Sequence, residues 1–179
     1  LAREGITFEN AHVTSTVCTP SRYTFLTGRY AGSAYSAEFL ELFPKGQQSL
    51  PAFNVQLEPD NQNVAAVLAK AGYATGMVGK FHVGPSLSDP KFRKRYGLHE
   101  IEKNVPFTEA LNRRKYENEK GYRKAVKDFG FTWAKNIYWD NTKAPFQNHN
   151  PEWTAAAAVE FIEQHKEEPF YLHYCTTLL

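Results

Sequence analysis

Apolar positions in the last two-thirds of the chain alternate between helical and extended patterns. Three segments have the spacing, caps or composition of helices, at residues 61–72, 108–127 and 151–165. Two short apolar runs, at residues 73–80 and 169–176, are typical of buried strands. Because helices alternate with buried strands, the pattern predicts a layered α/β domain with a largely parallel sheet.

The first third of the chain carries fewer regular signals. Residues 6–13 predict a strand, and a helix is predicted with Pro20 at its first position and Gly28 at its end. Frequent Gly and Pro predict a loop over residues 31–60, and residues 85–106 are predicted to be irregular. This part of the chain is therefore expected to contribute mainly loops and one helix.

Two details of the later segments can be checked against a structure. Asn61 or Asn63 is expected to cap the helix that follows it, and Gly72 to end that helix. Its apolar stripe is predicted to consist of Val64, Val67, Leu68 and Ala71. The aromatic-rich stretch before residue 151 is predicted to be a loop.

Composition excludes several classes of protein. With 179 residues, 42% apolar and 22% charged, the chain is long and apolar enough for one folded domain. A net charge of +2 gives no sign of nucleic-acid binding. No apolar run approaches the roughly 18 to 20 residues that cross a bilayer, so no membrane span is expected. The two cysteines, Cys18 and Cys175, are too far apart in sequence to indicate a disulfide framework, although a bridge between them remains a minor alternative.

Cys18 is the first residue with a chemical context. A lone cysteine is more often a small buried hydrophobic residue than a catalyst. Here it lies at the predicted N-terminus of a helix, where free backbone N–H groups and the helix dipole favour an anion. Arg22 follows four residues later, about one helical turn on, so it is expected on the same side of the helix. This spacing makes an anion-holding site with a reactive residue available.

The residues Cys18-Thr19-Pro20-Ser21-Arg22, followed by Leu26-Thr27-Gly28-Arg29, closely resemble the sulfatase signature. The resemblance implies that a maturation enzyme oxidises Cys18 to formylglycine, an aldehyde. Its hydrate carries two hydroxyl groups on one carbon. One can attack sulfur and expel the alcohol, and the other can lose a proton and eject sulfate, so the second step becomes an elimination.

A second constellation contains Lys80 and His82. Residues i and i+2 of an extended segment project to one face, so both side chains are expected at one site after the strand. Gly79-Lys80-Phe81-His82 also resembles the second sulfatase signature. By that resemblance Lys80 contacts the sulfate, and His82 hydrogen-bonds the formylglycine hydroxyl and takes its proton. Arg22 helps to hold the formylglycine.

The resemblance also implies a fold and a context. It predicts a layered α/β/α, alkaline-phosphatase-like fold with a largely parallel, mixed sheet that is incomplete, residues 1–179 being a partial catalytic domain. The metal-binding aspartates would precede Leu1, and further ligands would follow Leu179. Calcium is therefore expected in the full-length enzyme, with Cys18, as formylglycine, the one ligand here, and this chain alone is predicted to be inactive. A sulfated small molecule or carbohydrate is the expected substrate, and a periplasmic, secreted or lysosomal location is expected.

Two other functions stay open at this point. A phosphonate or phosphodiester hydrolase of the same superfamily can share the formylglycine motif, and a homologue whose cysteine is never converted would only bind sulfated glycans.

Several other residues are interpreted as structural. Asp140-Asn141 is read as a turn, and His173 and Cys175 as packing residues of a strand. Packing is also preferred over sugar stacking for three aromatic residues, Trp133, Tyr138 and Trp139.

Overall fold

The computed structural model describes residues 3–60, 62–101, 106, 108–139, 146 and 150–176, and they form an α/β fold. The helices and strands are α1 (Cys18–Thr27), α2 (Ala37–Leu42), α3 (Val64–Lys70), β1 (Ala74–Lys80), α4 (Pro90–Tyr96), α5 (Glu109–Asp128), β2 (Trp133–Tyr138), α6 (Asn150–His165) and β3 (Phe170–Cys175). The three strands form a sheet in the order β2-β1-β3, and both strand pairs are parallel. The predicted α/β class and parallel sheet are confirmed.

Helices pack on both faces of the sheet. A Cβ placed on Gly76 of β1 would lie 2.6 Å from the ring of Phe161, so this face of the strand meets α6. Successive residues of a strand point to opposite faces. Met77 accordingly belongs to a buried cluster on the other side, together with residues of α1, α3 and α5, among them Tyr23, Ala65 and Val126. The sheet is therefore the middle of three layers, as predicted.

Local signals placed several helix ends correctly. The side chain of Asn63 accepts a hydrogen bond from the Ala66 N–H at 3.1 Å and caps α3. Gly28 ends α1 with a φ of 70°, a conformation that glycine adopts without steric cost. The start of α1 differs from the prediction, because Cys18 is its first residue and Pro20 its third. Val17 occupies the capping position and provides no side-chain hydrogen bond.

Four parts of the sequence interpretation are wrong. Residues 6–13 form no strand, and Ile6, Phe8 and Val13 are more than 70% exposed, so neither strand partners nor burial stabilise an extended pairing there. The loop of residues 31–60 contains the short helix α2, which buries Phe39. The irregular region of residues 85–106 contains α4, which Asp89 caps by accepting a hydrogen bond from the Lys91 N–H. The predicted aromatic loop contains β2.

The buried face of α3 also differs from the predicted stripe. The structure buries Ala65 and Ala66, whereas Val67 is 59% exposed. The small alanine side chains let the helix approach the core closely. A Cβ on Gly130 would lie 2.5 Å from that of Ala66, which shows how tight the contact is. Among the described residues, no helix combines the length and the apolar character that crossing a membrane requires.

Candidate active site

The site forms where the N-terminus of α1 meets the end of β1. The Arg22 guanidinium donates a hydrogen bond from Nη1 to the backbone oxygen of Lys80 at 2.7 Å, which joins the helix to the strand. On the other side of the helix start, the hydroxyl of Ser21 donates to the backbone oxygen of Ser15 at 2.5 Å. The start of α1 is thus fixed both to the sheet and to the segment that precedes it.

Cys18 lies against both residues of the second constellation. Its Sγ is 3.2 Å from Nδ1 of His82 and 3.6 Å from Nζ of Lys80. Lys80 is only 6% exposed, so its ammonium group lies in a largely water-excluded position beside the cysteine. The structure therefore brings Cys18, Arg22, Lys80 and His82 together. Both cysteines of the chain are free thiols, so the alternative bridge to Cys175 is not present.

His82 reaches the site by a different route from the one predicted. β1 ends at Lys80, and the backbone of His82 has a φ of 53°, in the left-handed region. Its N–H donates to the backbone oxygen of Trp139 at 2.9 Å, beyond the end of β2. The simple alternation of an extended strand therefore does not bring Lys80 and His82 together. A turn that the neighbouring chain segment stabilises does so.

The environment of His82 keeps the imidazole neutral. Partial burial, with smaller contributions from the positive charges of Lys80 and Arg22, lowers the pKa of His82 to about 4. At neutral pH its ring therefore has one nitrogen without a proton. A ring in this state can accept a proton from a group at the position of the Cys18 side chain.

Two residues of β3, His173 and Cys175, lie close to Arg22. Burial, followed by the charge of Arg22, lowers the pKa of His173 to about 4, and burial raises the pKa of the Cys175 thiol. The hydroxyl of Tyr171 and Nδ1 of His173 are 3.0 Å apart, and the His173 ring lies 5.4 Å from that of Phe25. These contacts agree with the packing role expected for His173.

Of the aromatic residues predicted to be packing residues, Tyr138 and Trp139 are buried in the core and Trp133 is half-buried. Trp139 is 4% exposed, its indole N–H donates to the backbone oxygen of Pro85 at 2.8 Å, and its ring stacks on Tyr122. Tyr138 is 3% exposed, and Trp133 packs against Phe161. Packing rather than sugar stacking is confirmed for these side chains. The predicted turn at Asp140-Asn141 lies outside the described residues.

A buried carboxylate that sequence reasoning missed, that of Glu58, contacts Tyr23 of α1. Glu58 is 3% exposed and accepts hydrogen bonds from the Tyr23 hydroxyl and the Tyr35 N–H, both at 2.9 Å. Arg29, the last residue of the first signature, lies 3.7 Å from the other oxygen of Glu58. No pattern in the sequence marks Glu58, because it lies in a stretch without helical or strand periodicity.

The described residues do not by themselves make a calcium site. Calcium in proteins takes six to eight oxygen ligands. Among residues 3–60, 62–101 and the later described segments, no group of three or more His, Cys, Asp or Glu side chains is placed to hold a metal ion. The neighbours of Cys18 are instead Lys80 and His82, and Arg22 binds the backbone oxygen of Lys80. The donors in this part of the chain therefore do not form a complete calcium site.

Comparison with known proteins places this arrangement in a family. The sequence model of the Sulfatase family matches residues 1–177. The chain belongs to the sulfatase family. This membership agrees with the predicted family, and the three-layer arrangement agrees with the predicted α/β class.

Individual relatives show how much of each similar protein this chain covers. It is 29% identical over 180 residues to an arylsulfatase of Hemicentrotus pulcherrimus, covering 97% of this chain and 30% of that protein. Human arylsulfatase A is 38% identical over 106 residues, which cover 55% of this chain and 18% of that protein. A solved chain described as the crystal structure of Ps i-CgsB matches with a TM-score of 0.31 at 19% identity, covering 85% of this chain and 46% of that one. The chain thus spans about a third or less of the length of these curated sulfatases.

Proposed function

We propose that this chain is part of the catalytic domain of a sulfatase that hydrolyses sulfate esters with a formylglycine made from Cys18. The observation that carries the proposal is the convergence of Lys80 Nζ and His82 Nδ1 on the Cys18 side chain, at the N-terminus of α1. The thiol Sγ stands where the oxygen atoms of a hydrated aldehyde would be. That group would supply two hydroxyls on one carbon, one for attack on sulfur and one for release of sulfate.

Lys80 provides the fixed positive charge of the site. A sulfuryl group that reacts at the Cys18 position would lie within reach of the Lys80 ammonium, whose Nζ is 3.6 Å from Sγ. Because the lysine is almost fully buried, its attraction for a negatively charged oxygen is screened less than it would be in water. Lys80 is therefore proposed to bind the sulfate group and to stabilise charge that develops on it.

His82 is proposed as the proton acceptor. With a pKa of about 4, the imidazole is neutral at physiological pH. Its Nδ1, 3.2 Å from the Cys18 Sγ, lies within hydrogen-bond distance of an oxygen in that position. Removal of a proton from the hydroxyl that remains after sulfur has been attacked would drive the expulsion of sulfate. A protonated His82 would be unable to perform this step.

Arg22 has a positioning role in this structure. Its Nη1 holds the backbone of Lys80, so it fixes the distance between α1 and the end of β1. Its Nε is buried and has no hydrogen-bond acceptor among the described residues. A buried donor of this kind favours an oxygen ligand nearby. The further role of holding the converted side chain is proposed from the resemblance.

Several wider features belong to the same proposal. The full-length protein is proposed to bind calcium through ligands outside this chain together with the converted Cys18, and this chain alone is proposed to be inactive. A formylglycine-generating enzyme is the proposed maturation partner, and a sulfated small molecule or carbohydrate is the proposed substrate. A periplasmic, secreted or lysosomal location is proposed, which agrees with an enzyme matured in an exported compartment.

The deciding experiment joins mass spectrometry to an activity assay. The full-length protein is expressed with a formylglycine-generating enzyme, and the peptide containing Cys18 is expected to lose about 18 Da. The converted protein should hydrolyse an aryl sulfate faster than the matched phosphate diester. Cys18→Ala should abolish activity and an aldehyde-specific label, whereas the label should persist in Cys175→Ser, the matched cysteine control. An unconverted thiol would favour the sulfated-glycan binder, and preference for the diester would favour the phosphodiesterase alternative.

A further inference from the structure

An exposed aromatic ring covers one side of the candidate active site. Phe53 is 68% exposed, and its ring centroid lies 5.5 Å from that of His82, with a tilt of 33°. The same imidazole contacts the Cys18 Sγ through Nδ1. Phe53 therefore adjoins the position of bond cleavage without belonging to the charged group around it.

The loop that carries Phe53 is held on both sides of the ring. The Asn54 side chain accepts a hydrogen bond from the Ala52 N–H at 2.7 Å and donates one to the backbone oxygen of Leu50 at 3.2 Å. After the ring, Val55 is 2% exposed, and the N–H of Leu57 donates to the backbone oxygen of Val83 at 2.8 Å. Since Val83 directly follows His82, this bond ties the loop to the same segment as the histidine. The aromatic ring is thus presented from an anchored backbone.

The two sides of the site differ in chemistry. Lys80 and Arg22 supply positive charge, which suits the sulfate end of an ester. Phe53 supplies an apolar ring of which most of the surface is exposed. A large apolar ring beside a charged pocket favours a ligand with an anionic head and a flat apolar body, because ring-on-ring packing adds to the gain from removing both surfaces from water.

We propose that Phe53 is a specificity-determining residue that packs against the alcohol portion of the substrate, so that esters with a planar aromatic leaving group are preferred over those with small alkyl groups. This inference rests on the proposed function, because it assumes that the sulfate group binds beside Cys18. It assigns the preference to one side chain and to the leaving-group end of the ester.

A different role for Phe53 makes a different prediction. The ring also shields His82 from water, so its removal would raise the pKa of His82 toward its ordinary value. That change would affect every substrate equally and only at acidic pH. A contact with the leaving group instead acts on the aromatic ligand alone and at every pH. Comparing two ligands with the same anionic head therefore separates the two roles.

The experiment uses the full-length protein, with benzenesulfonate and methanesulfonate as non-hydrolysable ligands. Binding is measured by calorimetry at pH 7.5, alongside kcat/KM for 4-nitrophenyl sulfate in the converted enzyme. Phe53→Ala should weaken benzenesulfonate binding and lower kcat/KM by about tenfold, while methanesulfonate binding changes less than about twofold. Phe53→Tyr keeps the aromatic ring and should recover most of the benzenesulfonate affinity that Phe53→Ala loses. Tyr116→Ala, which removes a partly exposed aromatic ring on α5, is the matched control and should change neither ligand.

The outcomes separate this inference from the proposed function. Equal weakening of both sulfonates by Phe53→Ala, or no weakening of either, overturns the specificity role even when the enzyme hydrolyses sulfate esters. A converted enzyme that binds both sulfonates but hydrolyses no sulfate ester contradicts the proposed function, and the selective loss of benzenesulfonate binding would still support the contact with Phe53. Failure of both sulfonates to bind the unaltered protein counts against both proposals.

Discussion

The Sγ atom of Cys18 lies 3.2 Å from Nδ1 of His82, although 64 positions separate the two residues along the chain. The contact exists because α1 and the end of β1 are joined by Arg22, whose guanidinium holds the Lys80 backbone oxygen. Two short motifs that are separate in sequence thus form one site. The effect of changing either motif should therefore be visible at the other.

Replacement of Lys80 tests this dependence directly. Lys80→Met removes the charge that would bind the sulfate, and kcat/KM of the converted full-length enzyme should fall by about a hundredfold or more. The charge of Lys80 also contributes to the low pKa of His82, so that pKa should rise in the variant. Since the proposed proton transfer requires a neutral His82, the acidic limb of the pH profile should move from near pH 4 to higher pH.

The matched control for this experiment is Lys135→Met. Lys135 lies on the neighbouring strand β2 and pairs with Glu160, away from Cys18. Its loss should leave both kcat/KM and the acidic limb nearly unchanged. An acidic limb that stays in place in Lys80→Met would show that Lys80 does not influence His82.

Acidification should destabilise the folded protein between pH 6.5 and pH 4. The pKa values of His82 and His173 are lowered from 6.5 to about 4, so the unfolded chain binds more protons than the folded one in this window. The stabilisation is fully present above pH 6.5 and is lost as pH falls toward 4. Denaturant unfolding at several pH values should show a shallower loss for His173→Asn than for the unaltered protein. The exposed His12→Asn serves as control, and an unchanged slope in the His173 variant would contradict the prediction.

A methyl group at Gly79 should separate β1 from β3. Gly79 has a φ of 88°, and an added Cβ would lie 2.1 Å from the backbone oxygen of Cys175. Gly79→Ala should therefore lower the free energy of unfolding by about 3 kcal/mol or more, from backbone strain and overpacking together. Gly46 has a similar φ of 86° but no atom within 4 Å of the added Cβ. Gly46→Ala should cost only about 1 to 2 kcal/mol, and equal losses in urea unfolding would argue against a steric effect at Gly79.

Loss of the Glu58 carboxylate should destabilise the packing of α1 around Tyr23. Glu58→Ala leaves the Tyr23 hydroxyl and the Tyr35 N–H without their acceptor, so the free energy of unfolding should fall by about 2 to 3 kcal/mol. Glu58→Gln keeps an oxygen acceptor and should cost less. The exposed Glu41 of α2 offers a control, since Glu41→Ala should change stability by less than about 0.5 kcal/mol. Thermal or urea unfolding that ranks Glu41→Ala beside Glu58→Ala would refute the role of Glu58.

Sequence patterns predicted the fold where the signal was local. Asn63 and Gly28 marked helix ends because capping and left-handed backbone depend on one or two residues. The strand β2 was missed because Lys135 and Asn136 interrupt its apolar run. In the structure Asn136 is the extra residue at a register shift opposite Val78 and Gly79, with a φ of 54°. Such an irregularity depends on the neighbouring strand and has no signature in the sequence.

The site residues also fall into those that local motifs predicted and those that depend on tertiary contacts. The motifs named Cys18, Arg22, Lys80 and His82, and the structure places them together. Two further residues, Glu58 and Phe53, lie in a stretch that was read only as loop. Their positions depend on contacts with Tyr23 and His82, which are distant along the chain. Contacts of this kind come from tertiary packing, so no local pattern could have indicated them.

The central place of β1 has a consequence for how the site moves. Every residue of this strand is buried, and it pairs with β3 from Ala74 to Gly79 and with β2 from Gly76 to Lys80. Residues 76–79, which lead directly to Lys80, are paired on both sides, so a local fluctuation cannot displace them without breaking both pairings. The amide hydrogens of β1 should consequently exchange with solvent among the slowest in the protein, at a rate that reports global opening. The anionic end of a ligand would then meet a preformed cation, and adaptation to different ligands would fall to the loops.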